Sequence, residues 1–436
     1  MCKKVYVLII MIILMAIPVT VFAGGQQEET VQEESNPLSP TEPTSINMIG
    51  WRFPITAFYA EELESLNSIK NLTVNTQLLD SGSAQDQVRM ALSAGESPYE
   101  IVHADDAFLN ELASEGWIMP LDDLIEKYKD EYDLDDISAA MYEVGSLDGK
   151  IYGIPITANS MNYFYNIEIF EKYGLEVPDT YDDVIAMADT LKGVEGIDLP
   201  FTINLHAGWA WRIEFNNFLK GYGGTWLNDD GSPAFNGPEG VKAVEKIVEV
   251  YTATMGKAGL NWSIDDSEIG LETGYLASAV TWTSRAPNMD DPEKSFMVGK
   301  IGFAPAPRVV AGGPHAGPAA IGFYTIPTNT AVDSEYIFKI IMQVADLESQ
   351  VRASALGLVT RDKVAEMNTD GRYIEAALTT IANGSGNYGY HPASKIARSA
   401  IDNVLPGIVA GDKSAKEILD EAAALYIEEA TQQGYL

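Results

Sequence analysis

The chain has 436 residues, 46% of them hydrophobic, with 28 basic residues against 63 acidic ones and a net charge of -35. That length exceeds one ordinary core and suits two lobes. The charge disfavours nucleic acid, anionic membrane surfaces and anionic ligands unless a local basic pocket intervenes.

The N-terminus reads as a processed leader. Lys3 and Lys4 precede an apolar run from Val5 to Ile17, which is short for a membrane span. Val21-Phe22-Ala23 then places small residues at the two positions a signal peptidase reads, so cleavage is expected after Ala23 and residues 1–23 are a signal peptide. Cys2 is the chain's one cysteine and precedes the apolar run, so a mature chain would carry no disulfide and no thiolate. Residues 24–44 are acidic and rich in Gln and Pro, with little to bury; they are expected to be a disordered tether.

From Ser45 strands and helices alternate. Ile46 and Met48 mark a first strand ending at Gly50, and Leu72, Val74, Thr76 and Leu78 a second. A helix carrying Val88, Ala91 and Leu92 closes at Gly95, and YEIVHADD is a short strand with a polar end. Leu121, Leu124, Ile125 and Tyr128 form a helical stripe. Thr180 with Asp183 gives a capping box ahead of Val184, Met187, Ala188 and Leu191. Asn236-Gly237-Pro238 starts a helix with Val241, Val244, Val248 and Tyr251 on one face, and Ile418, Ala422 and Leu425 mark a last helix. The alternation predicts an α/β architecture with largely parallel sheets.

HAGWAWRIEF, at 206–215, holds two of the seven tryptophans. A helix starting near Ala210 would bury Phe215, Phe218, Leu219 and Tyr222, and Trp211 extends that stripe. Trp209 falls about 200° away from Trp211 on a helix, or in the loop before it, so the two rings need not share a role. Catalytic and cofactor signatures are missing from the sequence. GYGG lacks the third glycine of a dinucleotide loop, and there is no P-loop, no HExxH and no GxSxG. His103, His206, His315 and His391 are far apart in sequence, and NDDGS at 228–232 reads as a turn rather than a calcium loop. No metal, no cofactor and no catalysis are expected.

Residues 148–192 read DGKIYGIPITANSMNYFYNIEIFEKYGLEVPDTYDDVIAMADTLK. With GWIMPLDDL at 116–124, PAFNGPEGVKAVEKIVEVY at 233–251, ETGYLASAVTW at 272–282, GKIGFAPAP at 299–307 and GDKSAKEILDEAA at 411–423, this text resembles the extracellular solute-binding proteins of ABC importers. The likeness is to the sugar-binding family that includes the maltodextrin-binding protein. It extends over almost all of residues 45–436, and the common order of the pieces carries it. The resemblance implies a two-lobed, type II-like periplasmic-binding-protein fold, with a ligand cleft between lobes joined by crossover hinge segments near Ile156, Pro307 and Arg361. Lobe 1 is then residues 45–156 and 307–360, and lobe 2 residues 157–306 and 361–436.

It also implies where ligand is held. A sugar needs carboxylates, amides and guanidinium for its hydroxyls and flat rings for its C–H faces. The matching positions are Trp51 and Arg52 after the first strand, and His103, Asp105 and Asp106 in EIVHADD. Asn159 in the first crossover, Trp282 with Arg285, and Tyr388, Tyr390 and His391 in GNYGYHP follow. In the helix-start region they are His206 and Trp209, with Trp211 as support. A histidine where the family has an indole departs from a glucan-binding pattern. The reading is an exported, periplasmic or extracellular monomer that binds a mono- or oligosaccharide and delivers it to membrane permease subunits. Polyamines, glycerol-phosphate-like esters and a secreted carbohydrate-active enzyme are the alternatives.

Overall fold

Alternating apolar residues make Thr44–Trp51 the first strand, β1, with Ile46 and Met48 buried on one side. The structure, a computed structural model, describes residues 36–206, 208–367, 371–386, 388 and 391–436. The expected signal peptide, residues 24–35 of the expected tether and Tyr390 lie outside the described residues. Within the range expected for the tether, Leu38 is buried and its carbonyl accepts a 2.8 Å bond from the Tyr336 hydroxyl.

β2 (Leu72–Leu79) and β3 (Ile101–Asp105) flank β1 and run parallel to it. A small hairpin, β4 (Ser146–Leu147) and β5 (Lys150–Ile151), precedes the long strand β6 (Ile154–Asn166). β7 (Ser278–Trp282), β8 (Ile301–Pro305) and β9 (Ala319–Thr325) complete the set. The order is β2-β1-β3-β9-β6-β7, with β8 also on β6. Parallel pairing is confined to β1 with its neighbours and to isolated bridges, so the sheets are mixed rather than largely parallel. β9 returns from the second half of the molecule and enters beside β3 from the opposite end, which makes it antiparallel.

β6 is the structural axis. Ile154–Ser160 pairs with β9, and Met161–Asn166 pairs with β7 and β8. One strand therefore leaves one sheet and enters another between Ser160 and Met161. The second connection runs from Pro305 to Ala319. Its Arg308 and His315 bridge one another, and Arg308 also bridges Thr180. The third runs between Leu358, which bridges Ala158, and Gly384, which bridges His315. Arg361, placed by the sequence near that crossing, is buried in the first half. There its guanidinium donates to the carbonyls of Ala345, Asp133 and Tyr132 at 2.7–2.9 Å.

Ile46, Ile49, Ile101, Leu109 and Phe323 belong to the core of the first half. Tyr163, Phe201, Phe215, Phe218, Ile247 and Tyr426 belong to that of the second. Each fully buried ring or branched aliphatic contributes roughly 1.5–3 kcal/mol of burial. Local chemistry sets several helix ends. Thr180 and Asp183 form the expected capping box, and Pro238 opens Pro238–Thr254. In the last helix, Ala415–Gln432, Ile418 and Ala422 are buried as expected, whereas Leu425 is exposed and Leu419, Ala423 and Tyr426 take the inner face.

Candidate functional site

Several of the expected site residues stand where strands end. Trp51 closes β1, half-buried, with its ring 4.4 Å from that of His103. His103 is 2% exposed, beneath Trp51 and beside Tyr324, with both ring nitrogens unpartnered. Burial drives its pKa down to about 3, so the ring is neutral. Two glycines make room for it. A β-carbon at Gly50 would lie 2.8 Å from His103 Cβ, and one at Gly322 would lie 2.7 Å from His103 Nε2. His103 is thus a floor under Trp51 rather than a face turned to solvent. Arg52 is exposed, and its guanidinium reaches back to the Leu78 carbonyl at 3.0 Å.

β3 runs into the helix Asp106–Ser114. Asp105 caps that helix, accepting from the Phe108 amide at 2.8 Å. Burial raises its pKa, and the Phe108 amide and the charge of Arg398 pull it back. Arg398 stands on the helix Ser394–Val404 in the second half, with its guanidinium 5.0 Å from the centre of the Tyr388 ring. Burial raises the Tyr388 hydroxyl pKa; Arg212 and Arg398 oppose that, and Asp106 adds to it. The charge of Arg398, from the other half, thus acts on Asp105, and that of Asp106 acts on Tyr388. Arg212 is itself paired with Asp402.

At the change of sheet, Asn159 turns its Oδ1 to the amides of Ser160 and Ser284, each at 3.1 Å, while its Nδ2 donates to Ser284 Oγ at 3.4 Å. Trp282 ends β7 and packs against the second core. Arg285 is engaged elsewhere, in ion pairs with Glu268 at 2.6 Å and Asp265 at 2.9 Å.

The helix Ala210–Gly221 begins where the sequence indicated. Trp211 is 2% exposed inside the second core, and Trp209, just outside the helix, is 37% exposed with its ring edge-on to His206 at 5.3 Å. His206 is half-buried, and its Nδ1 has no partner among the described residues. One turn after Trp211, Glu214 is fully buried, contacted by the Asn204 amide and Asn217 Nδ2, each at 3.4 Å. With no cation beside it, burial pushes its pKa up to about 8. His391 stands apart, against Gly231 and Leu436 in a turn where its Nδ1 accepts from the Ala393 amide at 3.1 Å.

Trp51, Asp105, Asp106, Asn159, Tyr388 and the His206–Trp209 pair thus occupy strand ends, helix starts and connections, whereas Arg285 and His391 are held by other partners. Sequence reading missed Arg212, Arg398, Asp402 and Ser284. For Arg398 and Asp402 the available signal was their i, i+4 spacing; Arg212 lies within HAGWAWRIEF and Ser284 between Trp282 and Arg285. Chemically the arrangement offers carboxylates and amides to hydroxyls, and ring faces to C–H groups, with acidic and basic side chains opposed. Among the described residues no cluster of three or more His, Cys, Asp or Glu is placed to hold a metal.

The sequence profile of the bacterial extracellular solute-binding protein family matches residues 54–332. A probable amino-acid ABC transporter periplasmic-binding protein of Sinorhizobium fredii is 25% identical over 52% of this chain and 50% of its own length. A mannitol-binding protein of Pseudomonas aeruginosa is 24% identical over 45% of each chain. The alignments span about half the length of these curated relatives. Among solved structures, an ABC transporter solute-binding protein of Agrobacterium radiobacter in complex with ribitol superposes with a TM-score of 0.72. It is 21% identical, over 88% of this chain and 98% of that one.

Proposed function

Because the chain belongs to the family of bacterial extracellular solute-binding proteins, we propose that it captures a neutral sugar or sugar alcohol between its two halves and delivers it to the permease of an ABC importer. It does so outside the cytoplasm, as an exported monomer, without cofactor or chemical turnover. The two lobes meet at three connections, with the change of partners along β6 between Ser160 and Met161 at the centre of the hinge and Arg361 on the lobe 1 side. Closure of the lobes over the ligand is the productive step.

The observation that supports this reading best is the opposition of charges. The charge of Arg398 acts on Asp105, and those of Arg212, Arg398 and Asp106 act on Tyr388, so the cleft would present strong acceptors and donors together. Hydroxyl groups suit such a set, because each can donate to a carboxylate and accept from a guanidinium. Trp51 and Trp209 supply flat surfaces for C–H faces. A polyamine would meet the two arginines, and a phosphate ester would meet the two aspartates.

The test is a thermal-shift screen followed by calorimetry with ribitol, mannitol, maltose, spermidine, glycerol 3-phosphate and single amino acids. A ligand present at about a thousand times its Kd stabilises the folded state by about 4 kcal/mol. A rise in Tm with a polyol or sugar is expected. A rise only with spermidine, the phosphate ester or an amino acid overturns the sugar reading.

A further inference from the structure

Where β6 changes sheets, a buried polar network ties the three connections between the halves together. Ser160, Asn162, Thr283 and Thr380 are all buried. Thr283 Oγ1 donates to the Ser160 carbonyl at 2.8 Å and lies 2.9 Å from Asn162 Oδ1. Ser160 Oγ bonds the same Asn162 oxygen and sits 3.0 Å from Thr283 Oγ1. Asn162 Nδ2 donates to Thr380 Oγ1 at 3.2 Å and to the Ala304 carbonyl at 3.3 Å. Thr380 Oγ1 also accepts from the Ala306 amide at 3.2 Å and donates to the Ala376 carbonyl at 3.1 Å.

Each participant belongs to a different part of the machinery. Ser160 and Asn162 are the first connection. Ala304, in β8, leads into the second, and Ala306 lies within it. Thr380 lies on the helix Ile374–Ala382 within the third. Thr283 follows β7 and is the residue before Ser284, whose amide donates to Asn159. The second connection also crosses this point closely: a β-carbon at Gly317 would lie 2.7 Å from the Met161 carbonyl. Apolar packing alone is non-directional and would let the three segments slide. Hydrogen bonds that leave no side-chain polar atom of these four residues without a partner define one arrangement.

We propose that Asn162, Thr283 and Thr380 are positioning residues that lock the three hinge segments to each other and to the Asn159–Ser284 edge of the cleft. Ligand contact at that edge and the set angle of the lobes are then one event. This rests on the solute-binding reading for its ligand arm only; the hinge arm concerns the free protein.

The experiment uses the full chain in a Cys2→Ser background, with spin labels at Glu115→Cys and Lys242→Cys, two exposed positions on opposite halves. Thr283→Val removes the hydroxyl at nearly constant volume, and Thr380→Val does so from the third connection. Both are expected to broaden the interlobe distance distribution of the free protein and to weaken binding of the best solute from the screen about tenfold or more. Thr283→Ser, which keeps the hydroxyl, is expected to stay within twofold of the parent in affinity and to keep its narrow distribution. If Thr283→Val does not fold, Thr380→Val carries the measurement. Unchanged distributions in the valine variants overturn the proposal, as does equal broadening by Thr283→Ser. If the parent binds no sugar or polyol, the functional reading falls, while the free-state distances still decide the hinge.

Discussion

Two polar regions lie inside this protein, and they are bonded to very different degrees. At the hinge, Ser160, Asn162, Thr283 and Thr380 account for one another's donors and acceptors. Beneath the helix Ala210–Gly221, Glu214 has two 3.4 Å contacts, and around it both side-chain polar atoms of Asn204, the Asn217 oxygen and the Tyr181 hydroxyl have no partner among the described residues. The first region specifies a geometry. The second stores a protonation state, because a carboxyl buried without a cation is cheaper to keep neutral than to ionise. Polarity in a core therefore does two jobs here, and hydrogen-bond completeness separates them.

The largest expected effect tests the second region. The folded-state pKa of Glu214, about 8, is above its ordinary value of 4.5. Wild-type stability should fall as pH rises from about 4.5 to about 8, at about 1.4 kcal/mol per unit, and then level off. Glu214→Gln should remove this slope and be more stable at pH 8 by on the order of 3–5 kcal/mol. Urea unfolding at pH 5, 7 and 8 checks it; parallel pH curves for the two proteins would show that Glu214 is ionised in the fold.

The hinge network should break in the opposite manner, without pH dependence. Asn162→Leu strands the hydroxyl of Ser160 and removes a donor from Thr380 and Ala304, at a cost of about 3 kcal/mol. Denaturant midpoints at two pH values measure this, and a loss under about 1 kcal/mol would mean that these hydrogen bonds do not hold the fold.

His103 supplies a third case, with the sign reversed. Its folded pKa is depressed from 6.5 to about 3, so its contribution is intact above pH 6.5 and is lost as pH falls below that. Between pH 6.5 and 5 the loss amounts to about 2 kcal/mol. His103→Leu should flatten that acid limb in a thermal-melt series, and an unaltered limb would contradict a buried, neutral imidazole.

The smallest effect on stability belongs to Trp209. Trp209→Ala should change unfolding by no more than about 0.5 kcal/mol while weakening solute binding roughly tenfold, measured by calorimetry. Trp211→Ala, by contrast, opens the second core.

The sequence by itself determined whatever rests on neighbouring residues. The strand at Ile46–Gly50, the Thr180–Asp183 capping box, the start at Pro238 and the different fates of Trp209 and Trp211 follow from periodicity and capping, which act over a turn or two. The likeness to a binding-protein family was legible for the same reason, as short pieces in order. Only the tertiary structure decided that β9 runs against β3 and that His103 is a floor under Trp51. It also decided that Arg285 is tied to Glu268 and that Glu214 faces inward. Those outcomes depend on packing and pairing with other elements, up to more than two hundred residues away for β3 and β9. No local pattern encodes whether a polar side chain will meet water, a counter-charge or a closed core.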